Sequence, residues 1–233
     1  MKKTKLFCLP YAGGSATIYE KWKKNINSSI QLIPIEYSGR GKRFTQPLCD
    51  NLEEVVDDIY NIIKNNLDDT PYCFFGHSMG SLVSYELSHK IKELNHPQPT
   101  HIFFSGKSAP NIKSRDKDLH KLNDKEFKEE LFKLEGTPKE ILENNELMNI
   151  YLPILRSDFK VVEEYMYTPK PEKLECNFTV IYGKDDDMRI NEICDWQKHT
   201  NQKCNFIKFP GGHFFIHDHT EEIVEIVNNI ISA

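Results

Sequence analysis

Short apolar runs and amphipathic stretches alternate along most of the chain, a pattern that predicts β-strands separated by covering helices. Lys5 to Leu9, Gln31 to Tyr37, Tyr72 to Phe75, His101 to Ser105, Phe178 to Tyr182 and Asn205 to Phe209 read as strands. A glycine-rich turn after the first of them opens a helix through about Asn27. From Asn51 to Leu67, the apolar residues Leu52, Val55, Val56, Ile59, Ile62 and Ile63 recur at helical spacing, with acids early and a lysine late. Further helices are expected over Met79 to Leu94, Glu192 to His199 and Glu221 to Ile231. Strands joined in this way form a parallel sheet with right-handed crossovers, so the fold class is α/β, a mostly parallel central sheet flanked by helices.

Between Lys107 and Pro171 the rhythm breaks, because that stretch is charged and helix-patterned and too long for an ordinary crossover. It reads as a helical lid inserted at about 107–171 into a single domain that spans 1–233. Asn123 with Glu126, and Thr137-Pro138 with Glu140, are capped helix starts; a third helical stretch carries Leu152, Ile154, Leu155, Phe159 and Val162. Tyr151, Tyr165 and Tyr167 either shape a substrate pocket under this lid or pack in the core, and spacing leaves both open.

Composition narrows the partners. The chain has 233 residues and a formal net charge of -5 with both signs interspersed, which argues against nucleic acid or an anionic membrane as the partner. Lys2, Lys3 and Lys5 precede an apolar segment that breaks at Pro10, too short for a signal peptide or a membrane span, so a cytoplasmic protein is expected. Six scattered cysteines without a Cys-x-x-Cys pair read as reduced packing residues, and no metal site is expected.

The candidate chemistry centres on Gly76-His77-Ser78-Met79-Gly80, where an apolar strand stops and a helix begins. In such a nucleophile elbow the serine sits on a strained turn at a helix N-terminus, and glycines on either side let strand and helix approach. A serine needs a base and a group that orients the base. An acid in Gly183-Lys184-Asp185-Asp186-Asp187 and a histidine in Pro210-Gly211-Gly212-His213-Phe214-Phe215 follow Ser78 in the order and at the strand ends that such hydrolases use. His213 is favoured over His217 and His219, and Asp186 stands at the usual offset, with Asp185 and Asp187 not dismissed by spacing. The backbone N-H groups of Met79 and of Ala12, in the turn after the first strand, are the candidate oxyanion donors. His77 reads as packing beside the elbow. The basic loop Ser38-Gly39-Arg40-Gly41-Lys42-Arg43 either borders a cleft or is solvated surface.

With these residues placed, the sequence resembles the type II thioesterases that accompany non-ribosomal peptide and polyketide synthetases, members of the α/β-hydrolase superfamily. The likeness rests on Phe7 to Ala16, Gly39-Arg40-Gly41-Lys42-Arg43, the Ser78 pentapeptide, Arg156-Ser157-Asp158 with Tyr165, and Gly211-Gly212-His213-Phe214-Phe215; Ser38 departs from the proline common there, and the triple aspartate blurs the acid's register. The resemblance implies an α/β-hydrolase fold, roles as nucleophile, base and acid for Ser78, His213 and Asp186, and hydrolysis of acyl groups from the 4'-phosphopantetheine arm of acyl or peptidyl carrier proteins. It implies no enzyme-bound cofactor, and a monomer is expected. Acidic carriers would give Lys42, Arg43, Lys107 or Lys113 a docking role. The competing readings are an ester hydrolase or acyltransferase with the same triad, and a catalytically silent carrier-binding module.

Overall fold

The computed structural model describes residues 3–113, 118–134, 136 and 139–232. Six strands, β1 (Thr4–Leu9), β2 (Ile30–Pro34), β3 (Tyr72–His77), β4 (His101–Ser105), β5 (Asn177–Gly183) and β6 (Cys204–Phe209), form one sheet in the order β2-β1-β3-β4-β5-β6, and every neighbouring pair is parallel. The core divides across the sheet with the period of two that a pleated strand imposes. Phe7, Leu9, Phe74, Ile102, Phe104, Phe178 and Val180 face one side; Leu6, Cys8, Cys73, Phe75, Phe103 and Ile181 face the other. Because both faces are buried, these strands are nearly unbroken apolar runs.

On the first face lie α1 (Leu52–Ile63) and α2 (Met79–Glu93). The Asn51 side chain caps α1 by accepting from the Glu54 amide at 2.9 Å, and Val55, Val56, Ile59 and Ile63 turn inward. A 3-10 helix, Ala16–Lys24, and α7 (Thr220–Ile231) cover the second face through Tyr19, Trp22, Ile223, Val224 and Val227. The helix expected from the first turn is therefore tighter and shorter than its spacing suggests. The stretch Glu192 to His199 likewise splits into α6 (Ile190–Cys194) and a 3-10 turn, Asp195–His199.

The segment between β4 and β5 contains α3 (Asp124–Lys133), α4 (Lys139–Glu143) and α5 (Asn145–Glu163). Asn123 caps α3 at the Glu126 amide, 3.0 Å, whereas the cap expected at Thr137-Pro138 lies outside the described residues. These helices share a small core of Leu119, Phe127, Leu131, Leu142, Met148, Leu152 and Leu155. Tyr151 packs against it, while Tyr165 and Tyr167 pack against the main core and Tyr165 donates to Glu86 Oε1 at 2.7 Å. All six cysteines are free thiols, and among the described residues no helix is long and apolar enough to cross a membrane.

Several histidines are buried as neutral rings. Burial lowers the pKa of His101 to about 4, and burial, partly opposed by Asp195, lowers that of His199 to about 4. Above pH about 6.5 neither the folded nor the unfolded chain protonates these rings. Below it the unfolded chain takes up protons that the fold refuses, so stability falls by about 1.4 kcal/mol per pH unit per ring until the folded pKa is reached. Urea unfolding followed at pH 7.5 and pH 5 is expected to show a midpoint lower at pH 5; equal midpoints would contradict this account.

Candidate active site

Ser78 follows the last residue of β3 and caps α2 with φ +53° and ψ -113°, a backbone conformation that L-residues rarely adopt. Its neighbours impose that bend. A Cβ on Gly76 would lie 2.1 Å from the Gly80 carbonyl oxygen, and one on Gly80 would lie 2.1 Å from that of Leu9, so strand, elbow and helix touch through backbone alone. The Ser78 amide donates to the Ser105 carbonyl at 2.8 Å, and Ser81 Oγ donates to the carbonyls of Gly76, 2.8 Å, and Ser105, 3.1 Å. While His77, Met79 and Gly80 are buried, Ser78 remains partly exposed, presented at the tip of the turn.

The acid and the histidine come from the ends of β5 and β6, which are fastened together. The Lys184 amide donates to the Phe209 carbonyl at 2.8 Å and that of Asp185 to Gly211 at 2.9 Å; Gly211 returns a bond to Asp185 Oδ2 at 3.3 Å. A Cβ on Gly183 would lie 2.4 Å from the Gly212 carbonyl oxygen, so glycine is required for this approach. The result sets His213 Nδ1 2.9 Å from Asp186 Oδ2, while Asp186 Oδ1 accepts from the Asp187 amide at 2.8 Å. The Asp186 side chain is 8% exposed and that of His213 33%, which leaves the ring open to a substrate and its partner shielded from water. Of the other aspartates, Asp185 is used by Gly211 and Asp187 is exposed. His217 faces the Tyr11 hydroxyl at 3.0 Å and His219 faces Glu222 at 3.3 Å, so neither meets the acid turn.

His213 reaches the elbow through its neighbour: its ring lies 5.3 Å, centroid to centroid, from that of His77, the residue before Ser78. The Ser78 hydroxyl makes no hydrogen bond to a described residue. The nucleophile-to-base contact is thus not closed in this arrangement, as is common in unliganded hydrolases, where it tightens around the substrate.

The turn after β1 is pinned group by group. Leu9 and Pro10 carbonyls accept from Tyr19 Oη, 2.8 Å, and Tyr37 Oη, 3.0 Å; the Gly14 amide bonds the Tyr11 carbonyl at 2.9 Å. The Gly13 amide donates to Asp158 Oδ2 at 2.7 Å, and Arg40 Nη1 donates to the Gly14 carbonyl at 3.1 Å. Neither the Ala12 amide nor that of Met79, the first residue of α2, has a backbone acceptor among the described residues.

Sequence reasoning missed the pair that holds this turn. Arg40 meets Asp158 of α5 through two bonds, 2.5 and 2.7 Å, with side-chain exposures of 6% and 5%. Burial alone would lower the Arg40 pKa; the Asp158 carboxylate outweighs it and holds the guanidinium charged. The basic loop is therefore divided: Ser38 and Arg40 are buried, Arg43 forms a two-bond pair with Asp58, 2.7 and 2.5 Å, and Gly41 and Lys42 are exposed. A signal was available, since Asp158 lies three residues from Leu155 and from Val161 on the buried stripe of α5, where an ionised group needs a partner.

The inserted segment also touches both sides of the site. Leu155 lies against Gly13, where a Cβ would come within 2.3 Å of it, and Phe214 lies against Gly136, again at 2.3 Å from a Cβ placed there.

Three comparisons bear on this arrangement. The family model for the thioesterase domain matches residues 4–231. The gramicidin S biosynthesis protein GrsT of Aneurinibacillus migulanus is 36% identical over 226 residues, 97% of this chain and 88% of the relative. A protein of Brevibacillus parabrevis named linear gramicidin dehydrogenase LgrE is also 36% identical, over 232 residues, 98% of this chain and 88% of the relative. Among solved structures, ClbQ from the colibactin NRPS/PKS pathway superposes with a TM-score of 0.95 at 38% identity, covering 99% of this chain and 98% of ClbQ. The sheet, the elbow and this likeness make the fold that of an α/β hydrolase.

Proposed function

The chain belongs to the thioesterase family, and from that membership we propose that it releases acyl groups from the 4'-phosphopantetheine arm of carrier proteins in a non-ribosomal peptide or polyketide assembly line. It is a thioester hydrolase. In the proposed mechanism Ser78 Oγ attacks the thioester carbonyl while His213 Nε2 takes its proton, and Asp186 accepts from Nδ1-H and steadies the imidazolium. The oxyanion sits at the amides of Met79 and Ala12, with the N-terminus of α2 behind it. Collapse expels the pantetheine sulfur, which takes the proton from His213; a thiol of pKa about 8.5 is an easy leaving group. Water then attacks the acyl-Ser78 ester by the same proton route, releasing a carboxylic acid and restoring the hydroxyl. The pantetheine is part of the substrate, and the enzyme needs no cofactor of its own.

The observation that carries this reading is the 2.9 Å contact of His213 with Asp186 beside the strained elbow. The carrier is the partner, and the segment from α3 to α5 acts as the lid over the acyl group. Arg43, engaged by Asp58, is withdrawn from carrier docking, and Lys42 keeps that role. The test loads a panel of acyl groups on carrier proteins and follows release by mass spectrometry. Regeneration of the free pantetheine thiol with the acyl group recovered as acid is expected. Turnover of simple esters with acyl carriers left intact, or transfer of the acyl group to an alcohol, would overturn the reading.

A further inference from the structure

Tyr11 meets all three segments of the site with one side chain. Its backbone belongs to the turn after β1, next to Ala12, and the residue is buried. The ring centroid lies 5.8 Å from that of His77, the residue before Ser78, and 5.1 Å from that of Phe214, the residue after His213, both edge-on. Its hydroxyl lies 3.0 Å from His217 Nε2. A neutral imidazole accepts from the phenol through a bare Nε2 or donates to its oxygen through Nε2-H, and an imidazolium donates, so the bond holds in either tautomer and either charge state. Phe214 completes the group by stacking on His217, with centroids 6.2 Å apart and planes at 11°.

These contacts span a gap that the sheet leaves open. β1 and β6 are separated by β3, β4 and β5, so no ladder of main-chain bonds fixes the turn after one against the loop after the other. Each end of the bridge is held locally. The His217 amide donates to the Phe214 carbonyl at 3.0 Å and the Phe215 amide to that of Gly212 at 3.4 Å, which ties His217 to the backbone on both sides of His213. In the turn after β1, the Tyr11 carbonyl accepts from the Gly14 amide at 2.9 Å. The N-H of a trans peptide points opposite to its C=O, so committing the Tyr11 carbonyl also aims the Ala12 amide. Packing against His77 and Phe214 accounts for an aromatic ring at position 11 but not for its hydroxyl, which phenylalanine would omit at no cost in apolar contact.

We propose that Tyr11 and His217 are a positioning pair for the hydrolysis: the bond between phenol and imidazole registers the turn that carries the Ala12 amide against the loop that carries His213. The inference rests on the roles given above to Ala12, Ser78 and His213. A thioester under attack presents its carbon to Ser78, its oxygen to the Ala12 amide and its sulfur to the proton on His213 at the same moment. A relative shift of the two loops therefore slows the reaction even when each loop keeps its own shape. His217 is exposed, so the same bond contributes little to stability, and the two effects are separable.

A double-mutant cycle tests the pair. Tyr11→Phe removes the hydroxyl and keeps the ring against His77 and Phe214; His217→Phe removes the nitrogen and keeps a ring to stack on Phe214; His217→Gln returns a polar group near the Nε2 position. Steady-state kinetics with an acyl-pantetheine thioester, alongside thermal unfolding, is expected to show kcat about tenfold lower in each Phe variant and no lower in the double variant than in either single one. KM should stay within about twofold and Tm near that of the parent, and His217→Gln should recover most of kcat. Losses that multiply in the double variant, a kcat unchanged in Tyr11→Phe, or a loss in His217→Gln as large as in His217→Phe would each overturn the proposal. Full activity in Ser78→Ala, run in parallel, would instead overturn the underlying site assignment.

Discussion

Ser78→Ala is expected to lower kcat for an acyl-pantetheine thioester by about 10⁴ to 10⁶-fold, with the fold retained. Nothing structural depends on the hydroxyl, which makes no hydrogen bond to a described residue, whereas the elbow is held through the Ser78 amide on Ser105 and the glycine contacts, none of which alanine disturbs. Alanine has the same Cβ, so the cost of φ +53° is unchanged. Substrate binding should therefore survive and only the bond-forming step should be lost, leaving KM near the parent value. Residual hydrolysis, from the oxyanion donors and positioning, sets the lower bound. Circular dichroism and thermal unfolding of the same preparation check that the loss is chemical.

The second large effect is on stability. Asp158→Ala removes one half of a buried two-bond ion pair and leaves Arg40 charged in a site it cannot escape, at an expected cost of about 3–5 kcal/mol. In a chain of this size that lowers Tm by roughly 6–20 °C. The same carboxylate receives the Gly13 amide beside Ala12, so activity should fall further than the unfolded fraction explains. Replacing both partners by apolar residues of similar volume, Arg40→Met with Asp158→Leu, is expected to regain much of the stability without the activity, because the uncompensated charge is gone but the turn is no longer pinned. A variant Asp158→Ala as stable as the parent would show that the pair does not hold the turn.

How far the sequence could carry the reading depended on distance along the chain. The strand at His101 to Ser105 and the helix from Met79 were legible to within a residue, since each is an unbroken local pattern whose burial follows from its own composition. Ser78 was legible because the two glycines that the elbow requires, Gly76 and Gly80, stand within the same five residues. The register of the acid was not, because three consecutive aspartates have the same local chemistry and only the fastening of Asp185 to Gly211 turns Asp186 toward His213. The clamp was invisible for a related reason: Arg40 in a glycine-rich loop looks solvated until a carboxylate 118 positions away is folded onto it. Helix type was missed where, as in Ala16–Lys24, the winding is set by packing Tyr19 and Trp22 on the sheet rather than by spacing. His77 was read as packing, and its hydrogen bond to Ser105 appears only when β4 is brought beside it.

The claim on which the account depends is that the acyl group passes through Ser78. Rapid acid quench of the enzyme during turnover of an acyl-pantetheine thioester, followed by peptide mass mapping, reads it directly. The acyl mass is predicted on the peptide containing Ser78 and should vanish in Ser78→Ala; an adduct on another residue, or undiminished turnover by that variant, would contradict it.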